Sequence, residues 1–196
     1  MTPLPSRAIL APMLRLKLAT LVAMTALAAT LLHAQAPVET PPLPTTWDWL
    51  AGTFWYVGAK DLPAYLYDTR SRTGGMVPDQ TVFQITESKG GYFRGSAVVE
   101  IAMSRSSFTM LGVVTPDGSV LLNFLPSDPM VAPTTGTGRF TYAGPELTML
   151  NEMSSSPNDR LKVLHWAYMR RTSPGDPSWE RLPGANVSVP QFLNGR

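Results

Sequence analysis

His165 is the side chain of this sequence best suited to acid–base chemistry, because imidazole changes its charge near neutral pH. It lies in residues 161–169, where apolar residues alternate with others. Asn151 falls on the same face of the preceding predicted strand if the chain turns near Ser156 and Pro157. The two side chains predict a polar spot in an apolar interior. It either hydrogen-bonds a ligand or is a His–Asn pair satisfied within the core.

Other reactive arrangements find little support in the residue pattern. Without cysteine, and with one histidine outside the N-terminal 36 residues, a metal site would need carboxylates for its other ligands. The acids are scattered over predicted turns and loops: Glu87, Asp117, Asp128 and Asp159. Residues 136–138 (Gly-Thr-Gly) lack the lysine and the following helix of a phosphate loop. We therefore predict no metal, no cofactor and no catalytic residue.

The first 36 residues have the pattern of a cleavable signal peptide. Arg7, Arg15 and Lys17 precede an apolar run at 18–32, and Ala34 and Ala36 then flank Gln35 as in a signal-peptidase site. A transmembrane anchor is the alternative, but about 15 apolar residues are fewer than the roughly 20 that span a bilayer. We expect a periplasmic or extracellular protein with no stable membrane span after cleavage. The absence of cysteine excludes disulfides and a lipoprotein anchor.

Removal of this leader leaves 160 residues, a length that suits one domain with a real core. The whole chain has a net charge of +2, and the leader carries three basic and no acidic residues, so the remainder has a net charge of −1. A nearly neutral surface gives no electrostatic reason to expect nucleic acid as a partner. The composition leaves the oligomeric state open.

From residue 47 onward the apolar pattern has a period of two, with turn residues at regular spacing. Nine strands are predicted, at 53–58, 63–70, 80–87, 91–101, 106–114, 119–125, 137–143, 146–153 and 160–170. The fold class is therefore all-β, an up-and-down antiparallel meander barrel of eight or nine strands. A proline-rich tether (37–46) precedes the barrel domain (47–171), and an irregular tail (172–196) follows it. Because nine strands cannot close with every pair antiparallel, either one prediction is false or a terminal strand lies outside the barrel.

Four predicted hairpin turns place the same apolar residues on one face. A three-residue turn at 116–118 pairs Met110 with Phe124, and a two-residue turn at 144–145 pairs Phe140 with Met149. A turn at 88–90 pairs Glu87 with Gly91, and a connection at 102–105 pairs Val99 with Phe108.

The predicted connections fall into two groups, one at each end of the barrel. By this strand count the tight connections 59–62, 88–90, 116–118 and 144–145 share one end of the barrel. The connections 71–79, 102–105, 126–136 and 154–159 share the other end, where mostly long loops either frame a mouth or are ordinary variable loops.

Residues 52–54 (Gly-Thr-Phe), with Trp55 beside them, resemble the Gly-x-Trp that opens the first strand of lipocalins and other calycin-type barrels. Residues 47–53 also resemble the opening of small secreted lipocalin-like domains of bacteria. The resemblance implies a barrel with a central cavity, and an arginine, Arg170 or Arg171, that packs over the first-strand aromatic ring. Phe54 stands where the family has Trp, and the long loops lie, by the count above, at the end that lipocalins usually close. Avidin-like barrels are a second resemblance of the same kind.

These features predict an exported barrel that binds a small apolar or amphipathic molecule in its lumen. The ligand-binding residues predicted from the inward face are Trp55, Tyr67, Phe93, Met110, Phe124, Tyr142, Asn151 and His165. Gly52, Phe54 and Arg170 are predicted to pack at the barrel end. Two alternatives stay open: an enzyme that uses the cavity with His165 as acid or base, and a filled barrel that acts through its surface as an inhibitor or envelope interaction module.

Overall fold

A computed structural model describes residues 40–128 and 132–195 of the chain. The predicted signal peptide and the start of the tether lie outside the described residues. The strands are β1 (Phe54–Val57), β2 (Pro63–Asp68), β3 (Thr73–Lys89), β4 (Tyr92–Ile101), β5 (Ser104–Val114), β6 (Ser119–Pro126), β7 (Thr134–Ala143), β8 (Glu146–Ser155) and β9 (Leu161–Thr172). Short 3-10 helices span Asp48–Leu50 and Ala59–Asp61, and two short α-helices, α1 (Pro177–Glu180) and α2 (Val189–Leu193), follow β9.

The strands form a closed antiparallel barrel, which confirms the predicted fold class. Each strand from β3 to β8 pairs with the next along the chain, and β1 closes the ring by pairing with both β3 and β9. The alternation of small, β-branched and aromatic residues with polar ones lets each strand bury one face and solvate the other. Closure also removes the exposed edges that an open sheet of this size would present.

The first two strands occupy a single position in the barrel wall. Both β1 and β2 lie between β3 and β9: β1 pairs with β3 near Phe83, and β2 pairs with the earlier half of β3 near Gly75. The ring therefore has eight positions, because β1 and β2 are the two halves of one interrupted strand. This explains how nine strand segments fit a closed antiparallel ring. The connection 59–62 does not lie at a barrel end, and most of the predicted loop 71–79 is strand; both sequence-based assignments were wrong.

The strand break, residues 58–62, interrupts the hydrogen-bond ladder, and nearby groups replace the missing bonds. The side-chain amide of Gln80 accepts from the Val57 N–H and donates to the Val57 carbonyl, each at 3.1 Å. The N–H of Asp79 donates to the Leu62 carbonyl at 2.8 Å. On the other side of the gap, the carboxylate of Asp61 accepts from the backbone N–H of Tyr168 at 3.2 Å. These backbone groups at the break are thus satisfied, as a barrel wall requires.

The hairpin registers confirm two of the four predicted pairings. Met110 lies opposite Phe124 and Phe140 opposite Met149. The other two pairings were wrong. Val99 faces Ser106, two residues from its predicted partner, because residues 102–103 form a two-residue turn with both residues at positive φ. Glu87 faces Arg94, three residues from its predicted partner, because the turn lies at 90–91 and a bulge follows Ile85. Beyond this bulge the shift is two residues, which preserves the face of every side chain, so the predicted inward face holds.

With the interrupted strand counted once, the connections separate into two ends. The mouth end carries the connections at 69–72, 102–103 and 156–160 and the ends of β6 and β7, and the closed end carries the connections at 90–91, 115–118 and 144–145. The segment before β1 lies across the closed end. Trp47 stacks on Phe140 with ring centroids 4.7 Å apart and donates its indole N–H to the Thr115 carbonyl at 3.2 Å. Leu50 is fully buried beneath it.

The residues after β9 pack on the outside of the barrel. Leu182, Val189 and Phe192 are fully buried against Val82 and Val98, which point outward from β3 and β4. Ser188 caps α2 through a capping box with Gln191, which fixes where that helix begins. The segment predicted as an irregular tail therefore contributes a second apolar cluster. Its Pro183 carbonyl accepts from the Gln80 amide at 2.7 Å, beside the strand break.

Replacing Gln80 by leucine tests whether its amide completes the broken ladder. Gln80→Leu leaves the Val57 N–H and the Val57 and Pro183 carbonyls without these partners, so we expect the free energy of unfolding to fall by about 3 kcal/mol. Urea denaturation monitored by tryptophan fluorescence measures it. Gln84→Leu, on the same outward face of β3, is the matched control and should stay within about 0.5 kcal/mol of wild type. Equal losses in the two variants would contradict this role.

The turn between β4 and β5 offers a stabilising substitution. Ala102 and Met103 have φ values of +48° and +68°, a conformation that costs an L-residue other than Asn or Gly roughly 1 kcal/mol or more. We expect Ala102→Asn with Met103→Gly, the residues that a tight primed turn prefers, to raise the midpoint of thermal unfolding. Gly144→Ala, at φ +64° with open space around the added methyl, should lower it. A lower midpoint in the double variant would contradict the interpretation.

Candidate functional site

A cavity of about 440 Å³ lies inside the mouth end of the barrel. Its apolar wall is formed by inward side chains of several strands: Leu66, Val99, Phe108, Phe124, Met153 and Val163. Below Phe124 the lumen is filled, because Phe83, Met110 and Leu122 are fully buried in one continuous core. The barrel is therefore packed at the closed end and open at the mouth. A void of this size falls within the range of small-molecule sites.

The upper part of the cavity is rich in hydroxyl groups. Ser104 and Ser106 of β5, Thr134 of β7 and Ser155 of β8 lie among its lining residues, with Asn158 in the last mouth connection. Asp79 and Asp128 are the ionisable residues among the described residues that line it. An apolar floor beneath a hydroxyl-rich rim matches an amphipathic molecule. The arrangement provides hydrogen-bonding groups where water is near and dispersion contacts where it is excluded.

Of the predicted ligand-binding residues, Phe124 lines the cavity. Met110, Phe93 and Trp55 point inward but are packed in the core below it. Phe93 lies with its ring against Gly112, whose missing side chain makes the space for it. These three side chains support the cavity floor from beneath and do not border the void. Sequence reasoning identified their face correctly, but alternation carries no information about depth along the barrel axis.

Tyr67 and Tyr142 lie away from the cavity. Tyr67 is on the outer face of β2, opposite in direction to Ala64 and Leu66, which point inward. Tyr142 lies near the closed end, and its hydroxyl donates to the Pro42 carbonyl at 3.4 Å. Neither residue is among those that line the cavity. Tyr67 points outward because the break shifts the register of β2 against β9 relative to that of β1.

The residues predicted to pack at the barrel end also differ in their roles. Trp55, not Phe54, is the fully buried first-strand ring, and its indole N–H donates to the Thr53 hydroxyl at 2.9 Å. Phe54 points outward and meets Trp179 edge-on at 4.9 Å. Arg170 is exposed on the outer face, 3.4 Å from a Glu146 carboxylate oxygen. Gly52 has φ +80° in the turn that leads into β1 and donates its N–H to the Ile85 carbonyl at 2.8 Å.

His165 joins three parts of the wall at the strand break. Its Nδ1 lies 3.1 Å from Oδ2 of Asp79, and its Nε2 lies 2.7 Å from the carbonyl oxygen of Asp61. The Nε2 contact is a hydrogen bond, whereas the Nδ1 contact is an ion pair when the ring is protonated. Burial acts to lower the pKa of His165, but the Asp79 carboxylate and the Asp61 carbonyl outweigh it and hold the pKa above its ordinary value. Neither nitrogen is directed at the cavity.

The structure pairs His165 with Asp79 and not with Asn151. Asn151 is buried on the inward face of β8, and its Oδ1 accepts no hydrogen bond from the described residues. It lies near Gly136 and the ring of Phe124, just under the cavity floor. Asp79 was missed in the sequence because it follows Pro78 in a segment assigned to a loop. The sequence pattern did not indicate that β3 extends through Pro78. This residue lies opposite Pro63, where the ladder restarts.

No helix in the described part of the chain is long and apolar enough to cross a membrane. Within the same part of the chain, no three His, Asp or Glu side chains lie close enough together to hold a metal ion. Comparison with protein-family models, with curated proteins and with solved structures gives no match. The cavity and the groups that line it are therefore the features that bear on function.

The His165–Asp79 contact predicts pH-dependent stability. A histidine whose folded pKa is raised contributes stability that is complete below the unfolded pKa, near 6.5, and is lost as pH rises through the folded pKa. We expect the free energy of unfolding to fall as pH increases above about 6.5, measured by urea denaturation from pH 5.5 to 9. His165→Gln should flatten this part of the profile, and Asp79→Asn should move the fall to lower pH. A wild-type profile that is level over this range would contradict the prediction.

Proposed function

We propose that this protein is an exported, lipocalin-like barrel that binds a small apolar or amphipathic molecule in its mouth cavity. The observation that carries the proposal is the void of about 440 Å³ between the filled core and the mouth connections. A barrel that acted only through its surface would be expected to fill this space with side chains. The apolar floor and hydroxyl-rich rim favour a molecule with one greasy and one polar portion.

The interrupted first strand strengthens the lipocalin resemblance. When β1 and β2 are counted as one strand, the longest connections no longer fall at the end that lipocalins usually close. Trp55 lies buried in the first strand beneath the segment that covers the closed end. Export rests on the basic and apolar pattern of the first 36 residues. In this proposal the mature barrel carries its ligand in the periplasm or outside the cell.

A bulky residue at the mouth should block binding. Ser106 points into the cavity from β5, opposite Val99, so Ser106→Trp places an indole within the void. We expect at least a tenfold weaker affinity for N-phenyl-1-naphthylamine, a neutral apolar probe whose fluorescence rises on binding. Thr109→Trp, on the exposed outer face of the same strand, is the matched control and should bind as wild type does. Equal probe binding by Ser106→Trp and wild type would contradict a site in this cavity.

A ligand retained through purification would identify the class of molecule directly. Native mass spectrometry of the protein from its own envelope fraction should show an added mass that disappears in Ser106→Trp. A clean unliganded mass for wild type, repeated after incubation with envelope lipid and metabolite extracts, would count against a carrier function.

A further inference from the structure

An exposed apolar patch lies on the outer face of the wall where β3, β2 and β9 are neighbours. Its large side chains are between 38 and 63 % exposed: Met76 of β3, Tyr65 of β2, and Leu164, Trp166 and Tyr168 of β9. Tyr65 lies opposite Met76 on one side and Leu164 on the other, so these three form a row across the strands. Trp166 and Tyr168 continue along β9, with ring centroids 6.0 Å apart. We call these five residues the outer patch; contiguous exposed apolar groups of this kind mark a surface that contacts a partner.

Basic side chains border the mouth side of the outer patch. The chain at 68–72 and 159–162 carries four basic and two acidic residues, a local net charge of +2: Arg70, Arg72, Arg160 and Lys162, with Asp68 and Asp159. Arg160 donates from Nε to the Asp68 carboxylate at 2.6 Å, and Arg70 and Arg72 are exposed in the turn between β2 and β3. Residues 37–196 have a net charge of −1, so positive charge is concentrated beside the patch.

The other sides of the outer patch carry no such excess of positive charge. Lys60 and Asp61 have opposite signs within the strand break. Glu152 on β8 lies opposite Trp166, and Arg170 lies 3.4 Å from a Glu146 carboxylate oxygen. The positive side of the patch is therefore its mouth side.

We propose that the outer patch binds the surface of a lipid bilayer that contains anionic headgroups. In this arrangement Trp166 and Tyr65 enter the interfacial layer, and the exposed arginines of the turn contact the headgroups. Tryptophan and tyrosine favour this layer because each combines an apolar ring with a polar N–H or O–H group. Basic residues at the rim add electrostatic attraction to anionic lipid. The inference goes beyond the carrier function and does not require the cavity to hold a ligand.

The shape of the wall favours a bilayer over a second copy of the chain. The outer face of a closed barrel is convex, and two convex walls touch over a small area, whereas a stable protein interface buries roughly 1,200–2,000 Å². A bilayer surface adapts to inserted side chains and needs no matching shape. The strands also hold the patch residues in place, so binding does not have to order their backbone.

Vesicle flotation of the mature protein tests the proposal. Vesicles of phosphatidylcholine alone are compared with vesicles of phosphatidylcholine and phosphatidylglycerol in equal parts. We expect partitioning into the mixed vesicles to be at least fivefold stronger than into phosphatidylcholine vesicles. No partitioning into the mixed vesicles, or equal partitioning into both kinds, would overturn the proposal.

Matched variants locate the apolar contact. Leu164→Ser combined with Trp166→Ser should weaken partitioning into the mixed vesicles at least tenfold. Leu111→Ser combined with Leu121→Ser removes two leucines that are exposed on β5 and β6, outside the patch, and should bind as wild type does. All four side chains are exposed, so both double variants should keep the wild-type circular dichroism spectrum. Equal losses of partitioning in the two double variants would show that the patch is not the contact.

A second pair of variants examines the charged rim. Arg70→Gln with Arg72→Gln should lower partitioning into the mixed vesicles at least threefold. Lys89→Gln with Arg139→Gln removes the same charge from exposed positions near the closed end and should have no such effect. A loss of the same size in both pairs would mean that net charge alone attracts the protein, and the proposed orientation would be wrong.

Two further measurements separate the bilayer from other occupants. Phosphatidylcholine brominated on its acyl chains, added to the mixed vesicles, should quench the tryptophan emission, and Trp166→Phe should still partition but lose most of this quenching. Unchanged quenching in Trp166→Phe would overturn the placement of that ring. Sedimentation velocity without lipid should show a monomer. A dimer that Leu164→Ser with Trp166→Ser dissociates would show that a second copy covers the patch, and the proposal would fail.

Discussion

The whole structure depends on closing a barrel around a first strand that is interrupted. A closed wall leaves no edge, but it demands that every buried backbone group find a partner. At residues 58–62 the ladder cannot supply those partners, and Gln80, Asp61 and the backbone of Asp79 supply them instead. The Gln80 amide, which offers both a donor and an acceptor, stands in for a peptide group. Without these bonds, β3 and β9 would be separated by an unsatisfied gap.

The same break determines where the polar groups of the interior lie. His165 and Asp79 face each other across the position that the missing strand residues would have filled, and Asp61 contacts His165 from the break itself. Below this level the lumen is packed with aromatic and aliphatic side chains, and beside it the mouth cavity begins. A buried charged pair is a weak source of net stability, because desolvation offsets much of its attraction. Its clearer consequence here is positional, since it joins β3 to β9 beside the break.

Much of the fold could be read from the sequence, because alternation and turn chemistry are local. Pro116, Asp117 and Gly118 specify their turn, and the register from Val114 and Val120 onward follows from it. The turn at Ala102 and Met103 was misplaced because neither residue has the preference for positive φ that marks such turns. The shared position of β1 and β2 was not predictable from local patterns. It depends on pairing with β9, which is distant in sequence, and with β3, which extends through Pro78. The polar site at the break was harder to predict, because the role of Asp79 depends on its contact with His165.

The position of the void follows from a gradient in side-chain size along the barrel. Inward residues near the closed end are large, such as Trp55 and Phe140, whereas those near the mouth are small, such as Ser104, Ser106 and Ser155. Larger apolar residues at those positions would remove exposed apolar surface and gain dispersion contacts, so an unfilled mouth leaves stabilisation unused. Small hydroxyl residues leave this space open and line it with hydrogen-bonding groups. A chain that packs its closed end so completely, and leaves its mouth unfilled, has the arrangement expected when another molecule completes the core.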